Sequence, residues 1–142
     1  MTGTAENIGG TEHGPITIIL VEPDILARMP LAAYLRECGY RVIEAVSAED
    51  VFLVLAGGEK IEVVLTEIHL PGEIDGFSLA KRVRESYPGI DVVLTSSVGA
   101  AAAKAGELCD DGPLEKPYHP QEVVRRINLL RERRRASQKP SG

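Results

Sequence analysis

The chain has little cysteine, no long apolar run and no excess of positive charge. Only two cysteines occur among 142 residues, Cys38 and Cys109, and we expect both thiols to be reduced. No apolar run approaches the ~20 residues of a membrane span, and the N-terminal MTGTAENIGG lacks the basic and apolar parts of an export signal. We therefore expect a cytoplasmic protein without membrane contacts. With 21 acidic against 16 basic residues, the chain as a whole does not resemble a nucleic-acid-binding protein.

Short apolar segments alternate with helical patterns along the chain. The segments ITIILV, EVVLT and DVVLT are continuously apolar and β-branched, which is typical of strands covered on both faces. YRVIEA alternates apolar and polar residues, and a fifth short strand is predicted around Leu114. Five strands alternating with helices predict an α/β fold: a doubly wound parallel sheet with helices on both faces.

The composition divides the chain into three parts. Residues 1–14 are rich in glycine and polar residues and predict a flexible arm, residues 15–135 form the folded domain, and residues 136–142 predict a flexible tail. At this size the domain buries enough surface to form a core without disulfides or a structural metal.

Two residues and two segments shape the expected helices. Pro30 has no N–H to donate, so we expect a kink in the first helix or a loosened first turn. Ser47 predicts the N-cap of the second. Residues 97–106 are rich in alanine but poor in large apolar side chains, so a helix there would be weakly anchored. Apolar spacing predicts a last helix from Gln121 to about Arg134.

Polar side chains follow the predicted strands where each strand ends. The strand ends read VEPD, LTEIHLPG, LTSS and LEKPY. They supply the carboxylates of Glu22, Asp24 and Glu67, the hydroxyl of Thr95 and the ammonium of Lys116. Because the carboxyl ends of parallel strands share one edge of the sheet, we expect these groups to converge. Carboxylates beside a hydroxyl and a cation suit a divalent metal and a phosphoryl group.

The sequence resembles a response-regulator receiver domain over about residues 15–134. The resemblance is carried by ILVEPD, LTEIHLPGEIDGFSLA, VVLTSS and LEKPYHPQEV, in the family's order and spacing. It implies a flavodoxin-like strand order of 2-1-3-4-5. It also implies an aspartate that accepts a phosphoryl group from a sensor histidine kinase, two acids that hold Mg²⁺, and a switching aromatic residue.

The chain departs from this pattern at three positions and keeps it at three others. Glu67 stands in place of the phosphoacceptor aspartate, Pro23 replaces the second of the two metal-binding acids, and Pro113 replaces the switching aromatic. The family's phosphoryl-binding residues are retained as Thr95 and Lys116, followed by Pro117 in the family's cis Lys-Pro bond. Lys116 can equally form an ion pair with Glu67 or Glu22.

Glutamate places its carboxylate about 1.5 Å further out than aspartate, and misplacements of about 1 Å can slow phosphoryl transfer roughly a hundredfold. We therefore expect no efficient phosphorylation of Glu67. Two alternatives stay open: a Glu67 that imitates a phosphorylated aspartate in part, and a Glu67 that is functional or an engineered replacement. Mg²⁺ binding through Glu22, Glu67, the His69 carbonyl and Asp24 is weakened by Pro23, and Asp24 is also a good helix cap.

The last helix is strongly basic. From residue 125 to residue 142 there are seven basic residues and one acid. One interpretation is a solvated helix end that suits the helix dipole. The other is a partner surface that includes Arg125, Arg126 and Arg131. Nucleic-acid binding is a minor third option because no aromatic residues are interleaved with the basic ones.

These features predict a stand-alone single-domain response regulator, or pseudo-receiver, that acts by protein-protein interaction and is not an enzyme. The expected partner is a sensor histidine kinase or another signalling protein, and homodimer formation is left open. The first alternative is an ordinary phosphorylation-controlled regulator. A remote alternative is a small metal-dependent phosphate-handling enzyme, for which no general base is well placed. The three histidines show no metal-ligand spacing.

Overall fold

The computed structural model describes residues 10–11, 14–96 and 113–138. Its main sheet has five parallel strands in the order β2-β1-β3-β4-β5. The strands are β1 (Thr17–Val21), β2 (Arg41–Ala45), β3 (Val63–Glu67), β4 (Asp91–Ser96) and β5 (Leu114–Glu115). This confirms the predicted doubly wound sheet and the strand order implied by the resemblance.

Burial along the strands follows their position in the sheet. Every residue of β1 and β3 is buried, because these strands are flanked by other strands and covered by helices on both faces. In β2, at one edge, only Ala45 is buried. The continuous apolar runs therefore mark the interior strands, and the alternating run marks an edge strand.

Four helices are described: α1 (Ile25–Glu37), α2 (Ala48–Ala56), α3 (Gly76–Ser86) and α4 (Pro120–Gln138). Two apolar cores lie on opposite faces of the sheet. Ile18 and Leu20 of β1 pack in one core with α1 and α4, whereas Ile19 and Val21 pack in the other with α2 and α3. Successive strand side chains point to opposite faces, so this single strand contributes to both cores.

Three helices begin at a polar cap. Asp24 accepts from the N–H of Leu26 at 3.0 Å at the start of α1. Ser47 accepts from Asp50 at 3.2 Å at the start of α2, as predicted, and Asp75 caps α3. Pro30 lies inside α1, and the helix continues beyond it to Glu37.

Secondary structure near both ends of the described chain crosses the predicted boundaries of the arm and the tail. Gly10–Thr11 and Gly14–Pro15 form a short antiparallel ladder that crosses the predicted boundary between the arm and the domain. Helix α4 extends to Gln138, so the predicted tail boundary at residue 136 falls inside a helix. The predicted helix at 97–106 lies outside the described residues, as do Cys109 and His13. Within the residues that the structure describes, no helix has the length and hydropathy to cross a membrane.

Two arginines attach the second half of α4 to the sheet. Arg131 lies 2.9 Å and Arg134 lies 2.7 Å from the carboxylate of Asp91 at the start of β4. Arg131 also donates to the carbonyl of Glu62, and Arg134 donates to that of Pro88. These contacts stabilise α4 beyond its last fully buried apolar residue, Ile127.

Candidate functional site

Four of the five predicted strand-end residues meet at the carboxyl edge of the sheet. Glu22 directly follows β1, and its N–H continues the ladder by donating to Ala45. Glu67 ends β3 and is in register with Thr95 on β4. Lys116 follows β5, where its N–H donates to the carbonyl of Ser96 at 2.8 Å. Backbone pairing thus carries each side chain to the shared edge.

Lys116 joins the two glutamates. Its Nζ lies 2.6 Å from Oε1 of Glu22 and 2.5 Å from Oε1 of Glu67. The glutamates are buried, with exposed fractions of 6% and 5%, and 24% of the lysine side chain is exposed. Charge-assisted hydrogen bonds of this length are strong, and one ammonium compensates part of the charge of two carboxylates that burial would otherwise destabilise.

The second oxygen of each carboxylate accepts a backbone hydrogen bond. Oε2 of Glu22 accepts from the N–H of Asp24 at 3.0 Å, and Oε2 of Glu67 accepts from the N–H of His69 at 2.9 Å. Each of the four carboxylate oxygens therefore has a hydrogen-bond donor. The two glutamates are held in orientation by the loops that follow β1 and β3 as well as by Lys116.

The electrostatic surroundings keep Lys116 charged. Burial lowers its pKa, but the hydrogen bonds and the negative charges of Glu22 and Glu67 outweigh that effect, and the pKa is raised above its ordinary value. Burial also raises the pKa of the nearby Tyr118, with Lys116 opposing the shift. Near neutral pH the ammonium is present and bonded to both glutamates.

Thr95 and Pro113 contribute differently from the acidic residues. The Thr95 hydroxyl is buried, and its Oγ1 makes a long contact of 3.5 Å to the carbonyl of Thr66. Pro113 is half-buried just before β5 and offers no aromatic ring. The Lys116–Pro117 peptide bond is cis, as the resemblance implies.

A close backbone contact at Gly76 was not predicted from the sequence. A Cβ at this position would lie 2.5 Å from the carbonyl oxygen of Glu67 and 2.7 Å from the Cα of Ile68. The N–H of Gly76 donates to the carbonyl of Ile68 at 2.7 Å. Only glycine lets the first turn of α3 lie against the end of β3. The Asp75-Gly76 pair at the start of α3 was a sequence signal that could have indicated it.

The residues present do not fit a magnesium site. Glu22 and Glu67 come together, but on Lys116, and Asp24 is exposed and uses Oδ1 to cap α1. Pro23 offers no side-chain ligand, whereas Mg²⁺ requires near-octahedral oxygen coordination. In the described part of the chain, no three His, Cys, Asp or Glu side chains form a group that could hold a metal ion.

The predicted basic partner surface separates into two parts. Arg125 is exposed, and with Arg126 it lines a cavity of about 220 Å³ beside Leu114 and Leu129. Arg131 does not line this cavity, and its place on a partner surface stays a prediction. It lies on the sheet-facing side of α4 and pairs with Asp91, because its position continues the three- and four-residue spacing of the buried stripe.

An exposed apolar surface adjoins Lys116 and was not predicted. A cavity of about 280 Å³ lies between α1 and the segment after β5, and Lys116 contributes to its lining. Its apolar lining comprises Leu26, Ala27, Pro30, Leu31, Pro117, Tyr118 and Pro120. The large side chains of Ile25, Leu26 and Met29 are exposed on α1, and Leu26 is 82% exposed. The sequence could have indicated this surface, because α1 carries apolar residues at positions that do not follow the helical spacing of its buried residues.

Comparisons with known proteins agree with the fold. The model of the family described as the response regulator receiver domain matches residues 18–128. The transcriptional regulatory protein AruR of Pseudomonas aeruginosa is 35% identical over 131 residues, which are 88% of this chain and 53% of AruR. The uncharacterized transcriptional regulatory protein YbdJ of Bacillus subtilis is 29% identical over 116 residues, 81% of this chain and 50% of YbdJ. The chain spans about half the length of these curated relatives.

Solved structures show the same architecture. A putative response regulator from Chloroflexus aurantiacus is 30% identical with a TM-score of 0.72, covering 82% of this chain and 97% of the other. A receiver domain protein from Clostridium thermocellum has a TM-score of 0.75 at 19% identity, covering 87% and 99%, and supports the fold alone. Because the family model covers most of the folded domain, the chain belongs to the response regulator receiver domain family of two-component signalling.

Proposed function

We propose that this receiver domain acts in two-component signalling by binding a sensor histidine kinase or a related signalling protein, without efficient phosphoryl transfer to Glu67. The observation that carries the proposal is the contact of Lys116 with both Glu67 and Glu22. At the acceptor position, the longer glutamate already holds the cation that would otherwise stabilise an incoming phosphoryl group. The site is organised as an internal ion-pair cluster.

The geometry makes Glu67 a poor phosphoacceptor. An attacking carboxylate oxygen needs a free line of approach to phosphorus, but Oε1 accepts from Lys116 and Oε2 from the N–H of His69. Phosphoryl transfer also depends on cations that neutralise the oxygens of the transferred group. Pro23 removes one acid that would help to hold such a cation. Both positioning and charge neutralisation are therefore compromised.

The exposed apolar surface beside the site supports protein binding. A kinase that brings its histidine to the carboxyl edge must contact the residues that surround that edge. Those residues include the exposed Ile25, Leu26 and Met29 of α1. The cavity beside Lys116 lies in the same region. Contiguous exposed apolar residues with a polar rim are typical of interaction sites. We assign the kinase-binding surface to this part of α1.

An ordinary phosphorylation-controlled regulator is the second candidate. It is favoured by the retention of Thr95, Lys116 and the cis Lys116–Pro117 bond at the positions that the family uses for the phosphoryl group. In that case Glu67 would have to release Lys116 before the reaction. The two candidates differ in whether a covalent acyl phosphate forms.

Intact-mass spectrometry distinguishes the two candidates. We expect no phosphoryl adduct after incubation of the chain with acetyl phosphate and Mg²⁺. Two variants serve as comparisons: E67D restores the acceptor, and P23D/E67D also restores the second acid. We expect more labelling of the double variant than of the single one, because both the acceptor and the metal ligand are then present. Substantial hydroxylamine-sensitive labelling at Glu67 in the unaltered chain would refute the proposal.

A further inference from the structure

We propose that Lys116 is the resident cation of this site and takes the place of the divalent metal, so that the folded domain does not bind Mg²⁺ at its carboxyl edge. The inference rests on the proposed function in treating Glu67 as a structural carboxylate rather than a phosphoacceptor. It goes further by assigning the charge compensation of the site to one side chain of the protein itself.

The charge arrangement is the first argument. Glu22 and Glu67 are both buried, and one oxygen of each lies within 2.6 Å of the same nitrogen atom. Two carboxylates so close together repel each other strongly in a medium of low dielectric constant. One ammonium leaves the group with a single net negative charge. Without that ammonium, the pair would require another cation.

The ligand inventory is the second argument. Mg²⁺ binds oxygen at about 2.0–2.1 Å with near-octahedral geometry. At this edge, Pro23 has no carboxylate and Asp24 caps α1 from an exposed position. The two remaining carboxylates accept hydrogen bonds on all four oxygens. A metal would have to replace donors that are already in place and would gain only two side chains as ligands.

The cost of displacing Lys116 is the third argument. Its side chain is mostly buried, and the adjacent surface is formed by apolar residues such as Pro117 and Tyr118. An ammonium moved off the glutamates would lose two short charge-assisted hydrogen bonds while staying close to this apolar lining.

The test measures thermal unfolding with and without Mg²⁺ at matched ionic strength. We expect no change in Tm for the unaltered chain. In K116M the two carboxylates lack compensation, so Mg²⁺ at ten times its Kd should raise Tm by about 3–6 °C through binding to the folded state. E22Q/K116M removes one of the two carboxylates, and K116R keeps a cation in place. Neither should show the shift.

A second measurement uses the unaltered chain alone and stays informative if K116M does not fold. Mn²⁺ is titrated into labelled protein, and the broadening of backbone amide signals is followed by NMR. We expect the amides of Asp24 and His69, which donate to the two glutamates, to keep their line widths at low Mn²⁺ concentration. Selective broadening of these amides, or a Mg²⁺-dependent Tm of the unaltered chain, would overturn the inference.

The two proposals fail in different ways. Phosphorylation of Glu67 without metal-dependent broadening of the free protein would refute the proposed function while leaving Lys116 as the resident cation. Selective Mn²⁺ broadening without any phosphoryl adduct would refute the role of Lys116 and leave the phosphorylation-independent function in place.

Discussion

Lys116 Nζ lies 2.6 Å from Oε1 of Glu22, although 94 residues separate them along the chain. Their strands are not neighbours, since β3 and β4 lie between β1 and β5 in the sheet. With Glu67 as the third member, the contact connects three strand ends across the carboxyl edge. The contacts of Lys116 with the two glutamates therefore define the site and also connect separate strands of the fold.

The first prediction concerns alkaline pH. Because the pKa of Lys116 is raised in the folded protein, its stabilising contribution is fully present below the unfolded pKa of about 10.4 and is lost as the pH rises through the folded value. We expect the urea midpoint to fall more steeply with pH above about 10 in the unaltered chain than in K116M. The exposed Lys81 supplies a control: K81M should keep the steep fall. Equal slopes for all three proteins would contradict the prediction.

The second prediction tests the proposed kinase-binding surface. L26E places a charge on a leucine that is 82% exposed beside the site, and L53E does so on a leucine of α2 that is 74% exposed on the other face of the sheet. A binding screen first identifies a sensor kinase that binds the chain. We expect L26E to weaken the affinity for that kinase about tenfold or more. L53E should stay within about twofold, because surface substitutions outside an interface have small effects.

The third prediction concerns the basic surface of α4. If the kinase binds at α1, the double charge reversal R125E/R126E should leave the affinity within about twofold at physiological salt. Isothermal titration calorimetry at two salt concentrations provides the measurement. A large loss of affinity that decreases at high salt would instead place the partner on the cavity beside Arg125.

The fourth prediction concerns the attachment of α4 to the sheet. Asp91 accepts from both Arg131 and Arg134 and is 10% exposed, so D91A should lower the free energy of unfolding by about 2–4 kcal/mol. The more exposed ion pair between Arg41 and Glu59 offers a matched control. E59A should change the free energy of unfolding by less than about 1 kcal/mol. Chemical denaturation measures both, and similar effects of the two variants would show that the Asp91 contacts contribute little.

The fifth prediction concerns the close contact at the start of α3. G76A places a Cβ against the carbonyl of Glu67 and should destabilise the domain by about 1–3 kcal/mol. In G89A, apart from its own residue and its two chain neighbours, the new Cβ has no heavy atom within 4 Å, so this variant should be close to neutral. Thermal unfolding of both variants checks the difference. A neutral G76A would mean that the strand end and the helix can move apart without cost.

The fold and the membership of the site could be predicted because they depend on local patterns. Continuous apolar runs predicted the buried strands, and parallel strands must bring their carboxyl ends to one edge. For that reason the sequence pattern alone predicts that Glu22, Glu67, Thr95 and Lys116 lie together. The cap at Ser47 was predictable for the same reason, since it depends on residues only three positions apart.

The roles of individual charged side chains could not be predicted, because they depend on contacts between residues that are far apart in the sequence. Arg131 was expected on a partner surface, and its pairing with Asp91, which is 40 residues earlier, was not predicted. The exposed apolar surface beside Lys116 likewise combines α1 with the segment after β5. A helical pattern shows that a residue shares a face with buried neighbours, but it does not show which group on another element lies opposite.

By itself, the sequence determined the α/β architecture, the edge at which the polar groups gather, and the replacement of an acceptor aspartate by Glu67. Only the tertiary structure decided how those groups are paired. The lysine ammonium could have faced solvent, one glutamate or both, and the choice depends on the relative positions of three strand ends. Burial makes that choice energetically important, because two carboxylates removed from water need a nearby cation, and Lys116 lies between them.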